Sequence, residues 1–374
     1  MLNHKYVSWT ALFFLLMGLI FCSGKSDRVE KDTEPIIGVK IYDYGKSLSD
    51  LVEEWSSLGI NTALVSVPLL SKDRFRYLAR EAGIRIFVIV PIFYDPDELQ
   101  RNPGLYAITS DGERAVDDWV NFVCPTREDY LAQKIASIKE LLREWDPDGI
   151  SIDFIRYFVF WEKVYPERSL SSIANTCFDK HCLDRFQMAT GIEIPGRFSA
   201  VPEKAKWITD NHLEEWTEWK CHVITDTVKV ITQEIKKIKP DALINIHTIP
   251  WREDDFGGAI KIIAGQDLAA LSAHTDFISP MCYSHMLKRE SPWISSVVED
   301  VYNKTHGQVI PSIQVKEAYL PEILTLSEFR NALVAALRSP STGVIFWSWE
   351  ALEQDPEKKG VIKDVLNKEN RGRN

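Results

Sequence analysis

Apolar and polar positions along the chain switch repeatedly between a period of two and a period near 3.6. Short runs rich in Val, Ile and aromatics predict strands over 36–42, 61–67, 84–91, 148–157, 242–249, 276–283, 308–315 and 343–349. Amphipathic stretches between and after them predict helices over 48–58, 72–82, 127–145, 213–238, 264–274, 293–305, 327–338 and 356–367. Eight strands alternating with eight helices give an α/β chain with the count of a closed (β/α)₈ TIM barrel. A doubly wound open sheet would carry a Gly-rich phosphate loop after its first strand, and Tyr42-Asp43-Tyr44-Gly45 is not one.

The fourth strand organises the rest. Ile150, Ile152 and Phe154 share one parity, while Gly149, Ser151 and Asp153 share the other. In a small parallel barrel the greasy parity meets the helices and the small or polar parity fills the interior. Asp153 then falls at the carboxyl-terminal rim, where such barrels carry their functional side chains. The residues at 93–125 show no clear period and read as a long rim loop. The stretch 158–211 is expected to be an extended insertion after strand four. Its Trp161, Tyr165, Phe178 and Phe186 favour a small subdomain over disorder.

Net charge is −10 and no Lys/Arg-rich run occurs, so the footprint of a nucleic-acid binder is missing. Residues 1–24 pair a short cationic start with an apolar run from Val7 to Phe21, the pattern of a signal peptide. Leu19-Ile20-Phe21-Cys22 is similar to a bacterial lipobox, although Phe21 is bulkier than the small residue such a box wants. Two addresses stay open: a secreted protein, or a cell-surface or periplasmic lipoprotein held to a membrane through lipidated Cys22. Residues 25–35 would be a polar tether, and 36–370 one barrel domain, expected to be a monomer. In an exported chain Cys177 and Cys182 could form a local disulfide. A metal site there lacks a second pair of ligands by spacing, so none is expected.

Collecting the strand ends gives an aromatic and acidic set. Aromatic faces stack on the C–H faces of sugars, and carboxylates and amides pair with sugar hydroxyls, so the set suits a carbohydrate substrate. Tyr42, Asp43, Tyr94, Arg156, Tyr157, Trp161, His247, Trp251, Tyr283, Gln314, Trp347 and Trp349 are the candidate binding residues. Glycoside hydrolysis needs two carboxyl groups flanking the scissile bond, one kept protonated. Asp153 is the first, and Asp254 or Glu350 its partner. That chemistry requires no cofactor. Each residue also has a structural reading. Trp347 and Trp349 would cap the core, Asp153 would pair with Arg156, Glu253-Asp254-Asp255 would be a solvated loop, and His247 would be a satisfied core histidine. A metal-dependent hydrolase would need clustered ligands at the strand ends, and only His247 and His285 offer themselves.

Four groups of residues carry a resemblance to a known family. They are Cys124-Pro125-Thr126, the run Asp148-Gly149-Ile150 with Asp153, Arg156 and Tyr157, Asp276-Phe277-Ile278 with Pro280, Met281 and Tyr283, and Gly343-Val344 with Trp347. Together they are similar to the glycosyl-hydrolase-like (β/α)₈ proteins, a group of exported bacterial TIM-barrel proteins. The resemblance covers about 36–366 and implies a glycoside hydrolase by analogy of fold and site. Family 18 chitinases share the layout, but here Ile155 stands where their catalytic Glu would be and Ser151 replaces a motif Asp. Substrate-assisted chitin hydrolysis is therefore not expected. A noncatalytic carbohydrate-binding barrel remains the rival reading.

Overall fold

A computed structural model describes residues 34–373; the signal-like segment, Cys22 and most of the tether lie outside the described residues. Strands β1 (Ile36–Ile41), β2 (Thr62–Val65), β3 (Arg85–Pro91), β4 (Gly149–Asp153), β5 (Leu243–Thr248), β6 (Phe277–Pro280), β7 (Gln308–Val309), β8 (Ser312–Gln314) and β9 (Gly343–Trp347) form one parallel sheet. Each of β1 to β6 pairs with the next, β6 with β7, β8 with β9, and β9 back with β1. The two ends of the sheet, β7 and β8, are halves of a single expected strand over 308–315. Pro311 lacks the N–H that a continuous ladder would need, and the run is broken there. Met281 bridges to Ser312 across the break, so the sheet curls until its ends meet.

Alternation along the strands sorts the core into two zones. Val39, Ile41, Val65, Val88, Ile150, Ile152, Ile244 and Ile246 face outward into the main apolar core beneath the helices. A smaller cluster of Ile36, Leu64, Phe87, Ile89, Phe277, Ile310 and Ile345 plugs the interior. Gly149 is required here. A Cβ on it would lie 2.4 Å from the Phe87 ring and 2.5 Å from the Leu243 carbonyl oxygen. The helix layer includes α1 (Leu48–Ser57), α2 (Asp73–Glu81), α3 (Glu128–Trp145), α4 (Lys180–Thr190), α5 (Val201–Asn211), α6 (Leu213–Ile238), α7 (Pro292–Thr305), α8 (Leu326–Leu337) and α9 (Pro356–Arg373).

Two segments differ from the expectation. In place of one helix over 264–274 there are short helices Ala259–Ile262 and Leu268–Ser272. Gly265 separates them at φ 68°, in close packing against Tyr157 and Lys220, and Asp267 caps the second by accepting from the Ala270 amide at 3.2 Å. The rim loop after β3 contains helix Pro96–Arg101 and a two-residue ladder, Val116–Asp117 against Val120–Asn121. Between β4 and α6 the chain is ordered by α4 and α5. Phe178 stacks on Trp216 of α6 at 4.8 Å, and Phe186 meets the same ring edge-on at 5.0 Å. Among the described residues no helix is long and apolar enough to cross a membrane.

Candidate active site

Above the apolar plug the inward parity turns polar. Lys40 on β1, Ser151 and Asp153 on β4, Asn245 and His247 on β5, and Ser279 on β6 are all buried. Ser279 donates to Asn245 at 2.7 Å, Asn245 donates to Ser151 at 3.0 Å, and Ser151 contacts His247 Nε2 at 2.9 Å. Burial, with Lys40 next, drives the His247 imidazole down to about 3, so it is neutral in this chain of contacts.

Asp153 closes that layer. Its Oδ2 lies 3.4 Å from Lys40 Nζ, and its Oδ1 accepts the Phe154 amide at 2.8 Å. Burial alone would raise the carboxyl. Lys40 leads the influences that oppose it, with the Phe154 amide and Arg156 behind, and they hold Asp153 below the usual range. Phe154 itself sits at φ 50°, a conformation costly for an aromatic residue, so the chain leaves β4 in a strained turn.

A second buried carboxyl lies within electrostatic reach of Asp153. Glu162 belongs to the short turn Trp161–Lys163, and burial raises it to about 7 against the pull of Arg156, with the Asp153 charge raising it further. One of its oxygens has no hydrogen-bond partner. Arg156, 2% exposed, feels both acids and lies over the Phe122 and Phe154 rings at 4.8 and 5.2 Å. Sequence reasoning missed Glu162 because it lies outside any strand. The available signal was an acid closing an apolar run, Phe158-Val159-Phe160-Trp161-Glu162.

Other expected residues divide into two sets. Tyr283 stacks on Trp347 at 4.6 Å, Trp161 tilts against Tyr283 at 5.8 Å, and burial raises the Tyr283 phenol. Tyr42 is 41% exposed as a whole residue, yet its hydroxyl is enclosed, and burial and then Asp153 push it up. Tyr94 stacks on Phe154 at 4.8 Å. Tyr42 lies within electrostatic reach of Asp153, and Tyr283 of both acids. Glu350 is close by at the end of β9, with Oε1 accepting the backbone amides of Tyr42 at 2.6 Å and Asp43 at 3.1 Å.

The second set is directed elsewhere. Gln314 has both ends of its amide committed to backbone, accepting from Met286 at 2.8 Å and donating to Lys316 at 3.0 Å. Trp349 is fully buried edge-on to Trp55 beneath α1. Tyr157 faces Lys220, whose Nζ stands 4.5 Å from the ring, and the Cys124, Cys177 and Cys182 thiols. Trp251 packs on Phe256 at 5.3 Å, and Asp254 is exposed just before the turn Asp255–Gly257. The five described cysteines are unbonded thiols.

Comparison with solved structures places this architecture. The fold is shared with glycoside hydrolases. The glycoside hydrolase domain of PgaB (BpsB) from Bordetella bronchiseptica superposes with a TM-score of 0.65 at 13% identity, over 88% of this chain and 98% of that one. A β-galactosidase from the psychrophilic Marinomonas ef1 gives 0.63 at 11%, over 89% and 59%. An α-L-fucosidase, isoenzyme 2 from Paenibacillus thiaminolyticus, gives 0.57 at 12%, over 89% and 49%. The chain thus spans about half to three-fifths of the latter two proteins. No family model matches the sequence, and no curated protein does. At these identities the likeness is one of fold.

Proposed function

We propose that this chain is an exported glycoside hydrolase that cleaves O-glycosyl bonds of a neutral or N-acetylated poly- or oligosaccharide with Asp153 and Glu162. The observation that carries the reading is the division of two neighbouring carboxyl groups, one held low and the other raised to about 7. Environments that push two acids apart assign their roles. Asp153, ionised, is the nucleophile or base. Glu162, which still keeps its proton in a large share of molecules at neutral pH, gives that proton to the departing glycosidic oxygen. Lys40 holds Asp153 in place, while Arg156 restrains Glu162 from rising further. Glu350 accepts two backbone amides through Oε1 and so fixes the start of the loop that carries Tyr42, while its Oε2 is buried without a partner; Asp254 is exposed just before the turn Asp255–Gly257.

Around the pair, Tyr94, Trp119, Phe154, Phe160 and Tyr319 form a continuous aromatic surface, with Trp119 and Tyr319 36% and 40% exposed. Such faces suit sugar rings. The enclosure of both acids also favours a second reading, a carbohydrate-binding barrel without catalysis. Reducing-end release from a glycan panel, run with wild type, Asp153→Asn and Glu162→Gln, separates them. A glycosidase should lose about 10²-fold or more in rate in each variant. Glycan retention with no release by wild type would favour the binding protein, and release unaffected by either substitution would refute these roles.

A further inference from the structure

Cys124 ends the rim loop after β3, Cys177 precedes α4, and Cys182 lies in the first turn of α4. The fold brings their sulfurs together with the Asp179 carboxylate, so that the four donor atoms lie within 4.8 Å of one another. The three thiols are buried and Asp179 is partly so. Cys124 and Cys182, 58 residues apart in sequence, have their sulfurs 3.0 Å apart. Cys177 Sγ is 3.6 Å from Asp179 Oδ2. We propose that Cys124, Cys177, Cys182 and Asp179 bind one structural zinc ion.

Three arguments support it. Zinc takes four donors in a tetrahedron, and bonds of about 2.3 Å to sulfur keep the donors about 3.8 Å apart, a spacing the cluster meets with small adjustments. Thiolates select a soft or borderline ion such as zinc over magnesium or calcium. Neighbouring groups also orient the donors. Asp179 Oδ1 accepts the Cys182 amide at 2.7 Å, Oδ2 accepts from Arg127 at 2.6 Å, and Thr126 Oγ1 lies 3.2 and 3.1 Å from the Cys124 and Cys182 sulfurs. Arg127 supplies a positive charge that offsets part of the excess negative charge of three thiolates and a carboxylate around a divalent ion.

A Cys124–Cys182 disulfide is the competing use of the same atoms. It would leave Cys177 as an odd thiol beside a buried bond. With four protein donors the zinc site is closed, the mark of a structural site. It would fasten the rim loop that carries Phe122 to the segment following Glu162, and so brace the ring on which Arg156 lies. This inference does not depend on the glycosidase reading.

The test uses the full-length chain purified without chelator. Elemental analysis should find one zinc per chain, and thiol titration after unfolding in chelator without reductant should recover every cysteine in the purified chain. Cobalt added to reduced, zinc-stripped protein should give an intense thiolate-to-cobalt charge-transfer band. Cys177→Ser should lower zinc occupancy, and if that variant fails to fold, Asp179→Asn should still shift the cobalt spectrum. Two thiols missing from the titration, or a chain that takes up neither zinc nor cobalt, would overturn the proposal.

Discussion

Replacing Glu162 by Gln removes one titration from the folded protein, and its size follows from the burial of that carboxyl. An exposed Glu ionises near 4.5, and in the fold Glu162 does so at about 7. Between those values the folded chain holds a proton that the unfolded chain has released. Stability therefore falls as pH rises through this window, the sign expected for an acid whose folded pKa is raised. A shift of roughly two and a half units at about 1.4 kcal/mol per unit amounts to about 3 kcal/mol. Glu162→Gln keeps the shape and loses the titration. Its stability relative to wild type should therefore improve by about 3 kcal/mol between about pH 4 and about pH 8. Urea unfolding of both proteins at the two pH values measures the difference directly, and other titrating groups cancel between them. An unchanged difference, within about 1 kcal/mol, would mean that Glu162 is not a buried acid with a raised pKa and would remove the proposed proton donor.

Other substitutions probe neighbouring parts. Lys40→Met leaves Asp153 buried without its partner and should cost about 3 to 5 kcal/mol near neutral pH, read by denaturant midpoint. The loss should shrink in acid as Asp153 protonates, and in the double variant with Asp153→Asn; a single-variant loss that does not depend on pH would contradict the pairing. Trp349→Ala should destabilise by about 3 to 5 kcal/mol through a core cavity, while Trp119→Ala, at the surface, should cost under about 1 kcal/mol yet weaken glycan retention. Equal thermal shifts in the two would show their settings to be misassigned. Gly149→Ala should greatly reduce the yield of soluble protein, because the new methyl meets a ring and a carbonyl oxygen; normal yield and melting would refute that tight packing.

The strands β1 to β6 and the long helix α6 were legible from periodicity, since a strand between an apolar plug and a helix layer reports its own two faces. Local signals failed where three-dimensional context decided. Pro311 divides one apolar run into β7 and β8, and Gly265 splits an apparently continuous helical stretch. Glu162 carries no periodic signal, and only the closure of its loop shows that it is buried. Cys124 joined Cys177 and Cys182 through a contact that spacing alone gave no reason to expect. Aromatic residues at strand ends look alike in sequence, yet Trp347 stacks on Tyr283 beside the acids while Trp349, two residues later, is buried beneath α1.

The Trp119 indole nitrogen donates to the Tyr319 hydroxyl at 2.8 Å, joining loops 200 residues apart, and Phe160 packs edge-on against both rings. Tyr319 is close enough to Glu162 to feel its charge. Under the glycosidase reading, a sugar ring that settles between Trp119 and Tyr319 would part that bond. Entry would then be latched, timed by the opening of one hydrogen bond. At rising glycan concentration the observed entry rate would level off at the rate of unlatching instead of climbing in proportion, and Trp119→Phe, which keeps the ring and loses the donor, would lift that plateau.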